Sequence, residues 1–499
     1  MNIYVSLKRL SLAVLAIILS ACTVGPDYVR PDTVASTALK YEQGWRPMPE
    51  QSWMASGEWW RSFGDDRLTA LIEQAVQANQ TLAQAEASYR VAEAQRRLSR
   101  SGYSPEVNVS LGGTRSGSTN RNITNRNIAS DRVTTGTNIS ENYDARLQIG
   151  WAPDLWGRVR REVEADRAGL QASAADLAAA RLAIQVAVAS AYINLRALDR
   201  QQDILNETME AYDRSATLTR NQYEAGIVSR ADIIQAETQR QSLRTEMFDL
   251  QNQRALEENA LAALLGTVPA ELSLAQDRPL PLVPELPESL PAVLIARRPD
   301  VVAAERQVAA ANARIGVAQA AWLPDLTLNL WAGVQSDSFR DLIDAPARIW
   351  SVGPSLAQTL FDGGQRRASK DMAVARYDEQ AALYRQTVID GFRELEDALA
   401  TLQILADKNE QQAALLQLAE ENERVINNRY RAGLVSFLEV ATAQNMTLSA
   451  RRVAVNLHAD RLAATVQLAA VIGGGWDLDD PVIQSVTESA NHRAAAESL

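Results

Sequence analysis

From Leu68 onward, apolar residues recur at helical spacing: Leu68, Leu71, Ile72, Ala75, Val76, Leu82 and Ala83 line one face of a first helix. Residues 154–268 and 355–480 contain no proline and are rich in Ala, Leu, Gln, Glu and Arg, the residues that favour helix most. Between Glu162 and Tyr223 one helix would run 62 residues, or ~90 Å at 1.5 Å per residue. That exceeds any ordinary globular helix and points to a coiled-coil or tubular body, although the periodicity alone also fits a plain helical bundle. The apolar stripe is alanine-rich, so helices can approach closely.

Four short segments switch to a period of two. Glu106–Leu111, Tyr143–Trp151, Leu326–Leu330 and Trp350–Ala357 alternate polar with apolar residues and read as strands with one face covered. A soluble antiparallel sheet alternates in the same way, but two features favour lipid. Tyr103, Tyr143, Trp151, Trp331 and Trp350 lie at or near strand ends, as in the aromatic girdles of membrane barrels. The joining segments, Gly112–Asn142 and Ala332–Arg348, are polar and read as exposed loops. Four strands do not close a barrel, and lipid forbids open edges, so the barrel has to be shared between subunits.

The chain is written twice. Asn221-Gln222-Tyr223-Glu224-Ala225-Gly226-Ile227-Val228-Ser229 is echoed by Asn428-Arg429-Tyr430-Arg431-Ala432-Gly433-Leu434-Val435-Ser436, at an offset of 207. The same offset carries Asp232 onto Glu439, Leu261 onto Leu468 and Gly157 onto Gly364. An offset of 219 places Glu86 on Glu305 and Pro105 on Pro324. The expected repeats are 66–268 and 290–475. Between them Pro269–Pro299 holds 7 of the 17 prolines and reads as an extended crossover. Residues 22–65 read as an extended N-terminal segment, and 476–499 as a polar, alanine-rich tail.

Composition narrows the chemistry. Of 499 residues only one is Cys and two are His (His458 and His492), which excludes a disulfide framework and thiolate clusters and leaves little for a zinc or His-based catalytic site. A net charge of −11 argues against nucleic acid as partner. The glycine runs at Gly363 and Gly473 lack the setting of a phosphate loop, and no acid–base pair faces a pocket, so no enzyme activity or metal is expected.

Residues 1–21 read as an export signal: Lys8 and Arg9, the apolar run Leu10–Leu19, then Ser20 and Ala21. Leu19-Ser20-Ala21-Cys22 resembles the lipobox of bacterial lipoproteins, in which the cysteine takes a diacylglycerol and an N-acyl chain. Thr23 in place of Asp favours sorting to the outer membrane. After Cys22 no uncharged apolar run reaches 18 residues. The longest stretch, Leu177–Leu198, is broken by Arg181, Gln185, Asn194 and Arg196, so a membrane-spanning helix is not expected.

Five motifs carry a resemblance over nearly the whole chain: Gly25-Pro26-Asp27-Tyr28, Trp59-Trp60-Arg61-Ser62-Phe63, Arg298-Pro299-Asp300-Val301, Phe361-Asp362-Gly363-Gly364 and Gly473-Gly474-Gly475-Trp476. With the lipobox, the long helices and the repeat, the chain resembles the TolC/OprM superfamily of outer-membrane efflux proteins. The nearer match is the NodT-like lipoprotein branch serving RND-type drug pumps. The resemblance implies a mainly α fold with a β-barrel portion. Four transmembrane strands per subunit would join a trimeric 12-stranded β-barrel, and long coiled-coil-like helices would form an α-barrel through the periplasm. It also implies a passive exit duct, and its expected partners are two further copies of the chain, a periplasmic membrane-fusion adaptor, an inner-membrane RND-type pump and outer-membrane lipid. An ABC-driven secretion duct is the alternative, although that branch usually lacks the lipid anchor. An envelope-spacing coiled-coil lipoprotein would leave the strands unexplained.

The tip is placed by the repeat. Gly226 and Gly433 suit the left-handed conformation that ends a helix. Ser229 and Ser436 then act as N-caps, with Asp232 and Glu439 completing capping boxes. The same residues can do no more than build a tight turn. The resemblance instead makes Arg220–Asp232 and Asn427–Glu439 the periplasmic aperture and adaptor-docking surface, with Tyr223, Arg230, Arg429, Tyr430 and Arg431 as gate candidates.

Overall fold

The computed structural model describes residues 24–32, 57–122, 134–276, 279–284, 295, 297–344 and 346–476. The export signal, Cys22, residues 123–133, most of the proline-rich crossover, His492 and the tail from 477 lie outside the described residues. In chain order the elements are α1 (Asp66–Ala78), α2 (Gln80–Ser101), β1 (Glu106–Asn122), β2 (Thr134–Trp151), α3 (Arg158–Glu224) and α4 (Arg230–Leu264). They continue with α5 (Pro299–Ala320), β3 (Asp325–Ser336), α6 (Phe339–Asp344), β4 (Ala347–Ala357), α7 (Gln365–Arg431) and α8 (Phe437–Val471). α3 and α7 have 67 residues each and α4 and α8 have 35 each, with every end displaced by 207 along the chain.

The chain divides into two compact units. The first comprises the described residues up to Arg30, Ala92–Leu170 and Gln307–Gln380, and holds one antiparallel sheet in the order β1-β2-β3-β4. Here the strands outrun their alternating segments. β1 and β2 pair continuously from Glu106↔Gly150 to Asn122↔Thr134, so most of Gly112–Asn142, expected as loop, is a long hairpin. The ladder is made by backbone groups, which pair whatever the side chains, and Ser- and Thr-rich strands need no apolar face once they leave a buried layer. Ala332–Arg348 is likewise shorter as a loop than expected: it gives the end of β3, all of α6 and the start of β4. Pro354 stands opposite Leu328 in β4, an edge strand in this chain, where a missing donor is tolerated.

In the same unit the Gly-Pro-Asp-Tyr segment is clamped. Arg161 on α3, whose side chain is buried, donates to the Val24 and Gly25 carbonyls at 3.2 Å each. It also pairs with Asp27 at 3.0 Å and Glu164 at 2.8 Å. Asn312 on α5 donates to the Pro26 carbonyl at 3.0 Å, and Tyr28 packs on Ala168, Ala309 and Ala310. Gly25 has φ +113, and a Cβ there would lie 2.5 Å from the Gly316 Cα; one on Gly316 would meet the Val24 carbonyl oxygen at 2.9 Å. Backbone touches backbone, which only glycine permits.

The second unit comprises Pro31–Val91, Gln171–Arg306 and Ala381 onward. Its main core gathers Trp59 and Phe63 with Leu68, Leu71 and Ile72 of α1, Val188 and Tyr192 of α3, Leu261 of α4, and Leu462 and Val466 of α8. The Trp-Trp-Arg-Ser-Phe motif is a 3-10 turn, Trp59–Phe63, within the segment expected to be extended. Trp59 meets Trp60 and Phe63 edge-on at 5.8 and 6.2 Å. Asp65 caps α1 through the Arg67 and Leu68 amides and accepts a 2.7 Å bond from the Tyr192 hydroxyl. The first helix does not run through as its periodicity suggests. Asn79 is extended, and its side-chain oxygen caps α2 through Thr81 and Leu82 while its amide donates to Leu264 O at 2.8 Å. That local competition with helix is typical of Asn; it breaks the stripe and leaves Ala83 exposed.

Charges are buried where the crossover joins the helices. Asp199 accepts from Arg254 at 2.7 Å and pairs with Arg196 at 3.0 Å; Arg254 also reaches Glu258 at 2.9 Å. The same groups hold the crossover: Arg254 to Leu274 O, Arg196 to Ala275 O and Leu274 N to Glu258, all at 2.7 Å. Across the start of α5, Arg298 of the Arg-Pro-Asp-Val motif holds Asp300, Glu394 and the Val471 carbonyl. By composition α3 does contain an 18-residue window apolar enough to cross a bilayer, contrary to the reading of its charges. Its apolar side chains Val188, Tyr192, Ile193 and Leu195 are fully buried in the chain's own core, as in a core helix.

Trp59→Ala should destabilise the second unit by about 3–5 kcal/mol, the cost of emptying a large aromatic site, as read from its thermal unfolding midpoint. Arg161→Ala should release the Gly-Pro-Asp-Tyr segment, seen as chymotrypsin cleavage after Tyr28 many times faster than in the parent chain. Unchanged cleavage would mean that the glycine contact alone holds the segment.

Candidate functional site

Register sorts the sheet of the first unit into two faces. Val107↔Ile149, Val109↔Leu147 and Leu111↔Ala145 continue across β3 through Leu330 and Ala332 to Val352 and Trp350. The apolar side chains therefore share one face, yet the chain does not cover it: Val109, Leu111 and Trp350 are 74%, 80% and 75% exposed. In water, that much contiguous apolar surface calls for a partner or a membrane. The opposite face carries Asn108, Ser110, Gln148, Asn329 and Ser351. Apolar outside and polar inside is the reverse of a soluble sheet and is the arrangement of a membrane barrel wall.

Three of the five expected girdle aromatics lie on the apolar face. Tyr143 and Trp151 share β2 eight residues apart, about 27 Å along the strand at ~3.4 Å per residue. That spacing becomes roughly 20 Å of height at the usual tilt of barrel strands. Tyr143 meets Phe339 of α6 edge-on at 6.0 Å, and Trp350 stands opposite Ala332. Tyr103 precedes β1, and its carbonyl accepts from the Trp151 indole at 3.0 Å. Trp331 does not join them. Its register partners are Gln148 and Ser351, so it stands on the polar face, with the Arg146 guanidinium 5.2 Å from its ring centre. Strand parity decides this: Trp331 is one residue out of phase with Leu330 and Ala332, which proximity to a strand end could not reveal.

The two helix turns lie in the second unit. Gly226 and Gly433 have φ +77 and +72 and close matching C-caps: Gly226 N to Tyr223 O and Ile227 N to Gln222 O, Gly433 N to Tyr430 O and Leu434 N to Arg429 O, all at 2.8–2.9 Å. No Cβ at either glycine would meet an atom within 4 Å, so the positive φ alone calls for glycine. Asp232 accepts from the Ser229 amide and hydroxyl at 2.9 and 2.7 Å, and Glu439 from the Ser436 amide at 3.4 Å. Those two acids are occupied by the turns, whereas Arg230, Arg429 and Arg431 are exposed and make no ion pair among the described residues. Beside them Arg220 is tied to Glu237 at 2.6 Å.

The paired tyrosines diverge. Tyr223 is 42% exposed, but Tyr430 is 3% exposed, bonded to the Thr219 hydroxyl at 2.9 Å and packed edge-on against Phe437 at 5.8 Å. Burial raises its phenol pKa, which keeps the hydroxyl protonated. Tyr430 is thus an internal strut between helices of one chain and not an exposed gate residue. Repeat symmetry hid this, because it assigns both tyrosines one environment.

The family described as outer membrane efflux protein matches residues 71–267 and 290–474. The chain is 31% identical over 494 residues to the probable efflux pump outer membrane protein TtgC of Pseudomonas putida KT2440, with 98% of each chain covered. It is 26% identical to the probable outer membrane lipoprotein SilC of Salmonella typhimurium, over 94% of this chain and 99% of that one. The solved outer-membrane channel OprN superimposes with a TM-score of 0.82 at 29% identity, covering 91% of this chain and all of that one. With its two-faced sheet and its long helices, the chain belongs to the outer membrane efflux protein family and is an efflux channel of the outer membrane.

Proposed function

We propose that three copies of this chain form the exit duct of a tripartite efflux system, taking small molecules from an inner-membrane RND-type pump through a periplasmic adaptor. The observation that carries the reading is the sheet: four strands, apolar on one face and polar on the other, with β1 and β4 as unpaired edges in this chain. In lipid each unpaired backbone group costs several kcal/mol, so β4 of one copy pairs with β1 of the next and the wall closes. Tyr143 at one end of the β2–β3 ladder, and Trp151 with Tyr103 at the other, then meet the two interfaces, while Trp350 lies in register with Leu147 between them. Nothing in this duct reacts with its cargo; the sheet and the helices only enclose a path.

Cys22 takes the diacylglycerol and N-acyl chains, a reading supported by the lipobox and by SilC, an outer membrane lipoprotein by name. Acyl chains tether a chain to a leaflet without crossing it. The two turns form the periplasmic aperture and the adaptor-docking surface. Gly226, Ser229, Asp232, Gly433, Ser436 and Glu439 shape the turns, while Tyr223, Arg230, Arg429 and Arg431 present free side chains for contacts between chains.

The test is a crosslink in living cells from Ser229→Cys, with the native mass of the detergent-extracted channel measured in parallel. A trimer whose tip captures an RND-system adaptor is expected. Capture of an ABC-system adaptor would move the duct to secretion; a monomer, or a trimer whose tip captures no periplasmic protein, would sink the reading.

A further inference from the structure

One large aromatic stands on the wrong face of the sheet. Trp331 is half-buried among Gln148, Ser351 and Asn329 on the face that water would wet. Its neighbourhood is built around it. In the row on one side, Gly333 lies opposite Arg146, and a Cβ there would strike the Ala145 carbonyl oxygen at 2.2 Å. With no side chain on Gly333, Arg146 leans over the indole, 5.2 Å from its centre. In the row on the other side, Asn329 is flanked by Gly150 and Gly353. A Cβ at Gly353 would meet nothing within 4 Å, and one at Gly150 only the Asn329 amide oxygen at 3.9 Å. An indole with a cation over its ring on one side therefore borders, on the other, a row in which Asn329 stands between two glycines that carry no side chain.

We infer that Trp331 is a transit station for uncharged planar aromatic solutes, which stack on the indole over the floor of Gly150 and Gly353. The inference rests on the duct reading, which makes the polar face the lumen. The solute is planar because the floor has the height of a missing side chain, and uncharged because Arg146 is already neutralised by Asp144 at 3.0 Å. Asn329, Gln148 and Ser351 supply hydrogen bonds to a ring substituent. A single-face stack is also weak enough to release its cargo, as a conducting path requires.

The experiment uses the full-length lipidated channel in whole cells with Ser351→Cys, the position opposite Trp331. A water-soluble maleimide is applied from outside, with and without 2-naphthol, and the saturated decahydro-2-naphthol serves as control. Labelling should slow about 1.5-fold with about 3 mM 2-naphthol, the occupancy expected of single-face stacking worth about 3 kcal/mol. It should not slow with the saturated alcohol, and protection should vanish in Ser351→Cys/Trp331→Leu. Labelling without protection, equal protection by the saturated alcohol, or protection that survives Trp331→Leu overturns the station and leaves the duct standing. A thiol that reacts only with a membrane-soluble maleimide shows that this face meets lipid, and both readings fall.

Discussion

A backbone amide or carbonyl left unpaired in hydrocarbon costs several kcal/mol, far more than any single side-chain contact recovers. That cost explains why the exposed apolar face of the first unit is built on a sheet with continuous ladders, and why the strands extend well past their apolar segments. It also explains why the polar face can be so undemanding. Once the ladder is satisfied, glycine, serine and asparagine suffice, and apart from Trp331 and Ile349 the sheet keeps its large apolar residues on one side.

The helical unit meets the opposite constraint. Many of its apolar side chains are covered by its own helices, although Phe248, Ile404 and Leu418 stay exposed, and what has to be fixed is the irregular chain between repeats. Buried charges do this work. Arg196, Asp199, Arg254 and Glu258 pair with one another and hold the backbone of Leu274 and Ala275, while Arg196 Nε and Asp199 Oδ2 are left without a hydrogen bond among the described residues. Removing one partner would leave a buried charge unpaired, so the network ties the crossover to α3 and α4 in one arrangement. Burial raises the Asp199 carboxyl pKa against the pull of both arginines, a measure of how dry the junction is.

Much of this was legible in the sequence. Proline-free stretches located the long helices, and the spacing of 207 between the two turn motifs is also the spacing of the helix ends. Glycine followed by a serine–acid pair described the turns closely, because those motifs act through local backbone geometry. What escaped depended on partners far along the chain. That Trp331 stands with Gln148 and Ser351 is set by the register across β2 and β4, although its phase against Leu330 is local. The burial of Tyr430 depends on Thr219 and Phe437 and has no counterpart at Tyr223. Asn79 ended a helix that apolar spacing carried through, since periodicity is blind to a side chain that prefers its own backbone. Polar strands read as loops because polarity reports what surrounds a strand, not whether its ladder forms.

The contact between Gly25 and Gly316 makes the Gly-Pro-Asp-Tyr segment a fixed point on the first unit. Only one residue separates Val24 from Cys22, so the cysteine lies within about 7 Å of the clamp whatever the path between them. A chain held on so short a leash has little freedom to ride up or down relative to whatever Cys22 is fastened to. With the acyl chains proposed for Cys22 in place, the clamp would act as a depth gauge, setting the level of the strands against the bilayer as well as keeping the protein there.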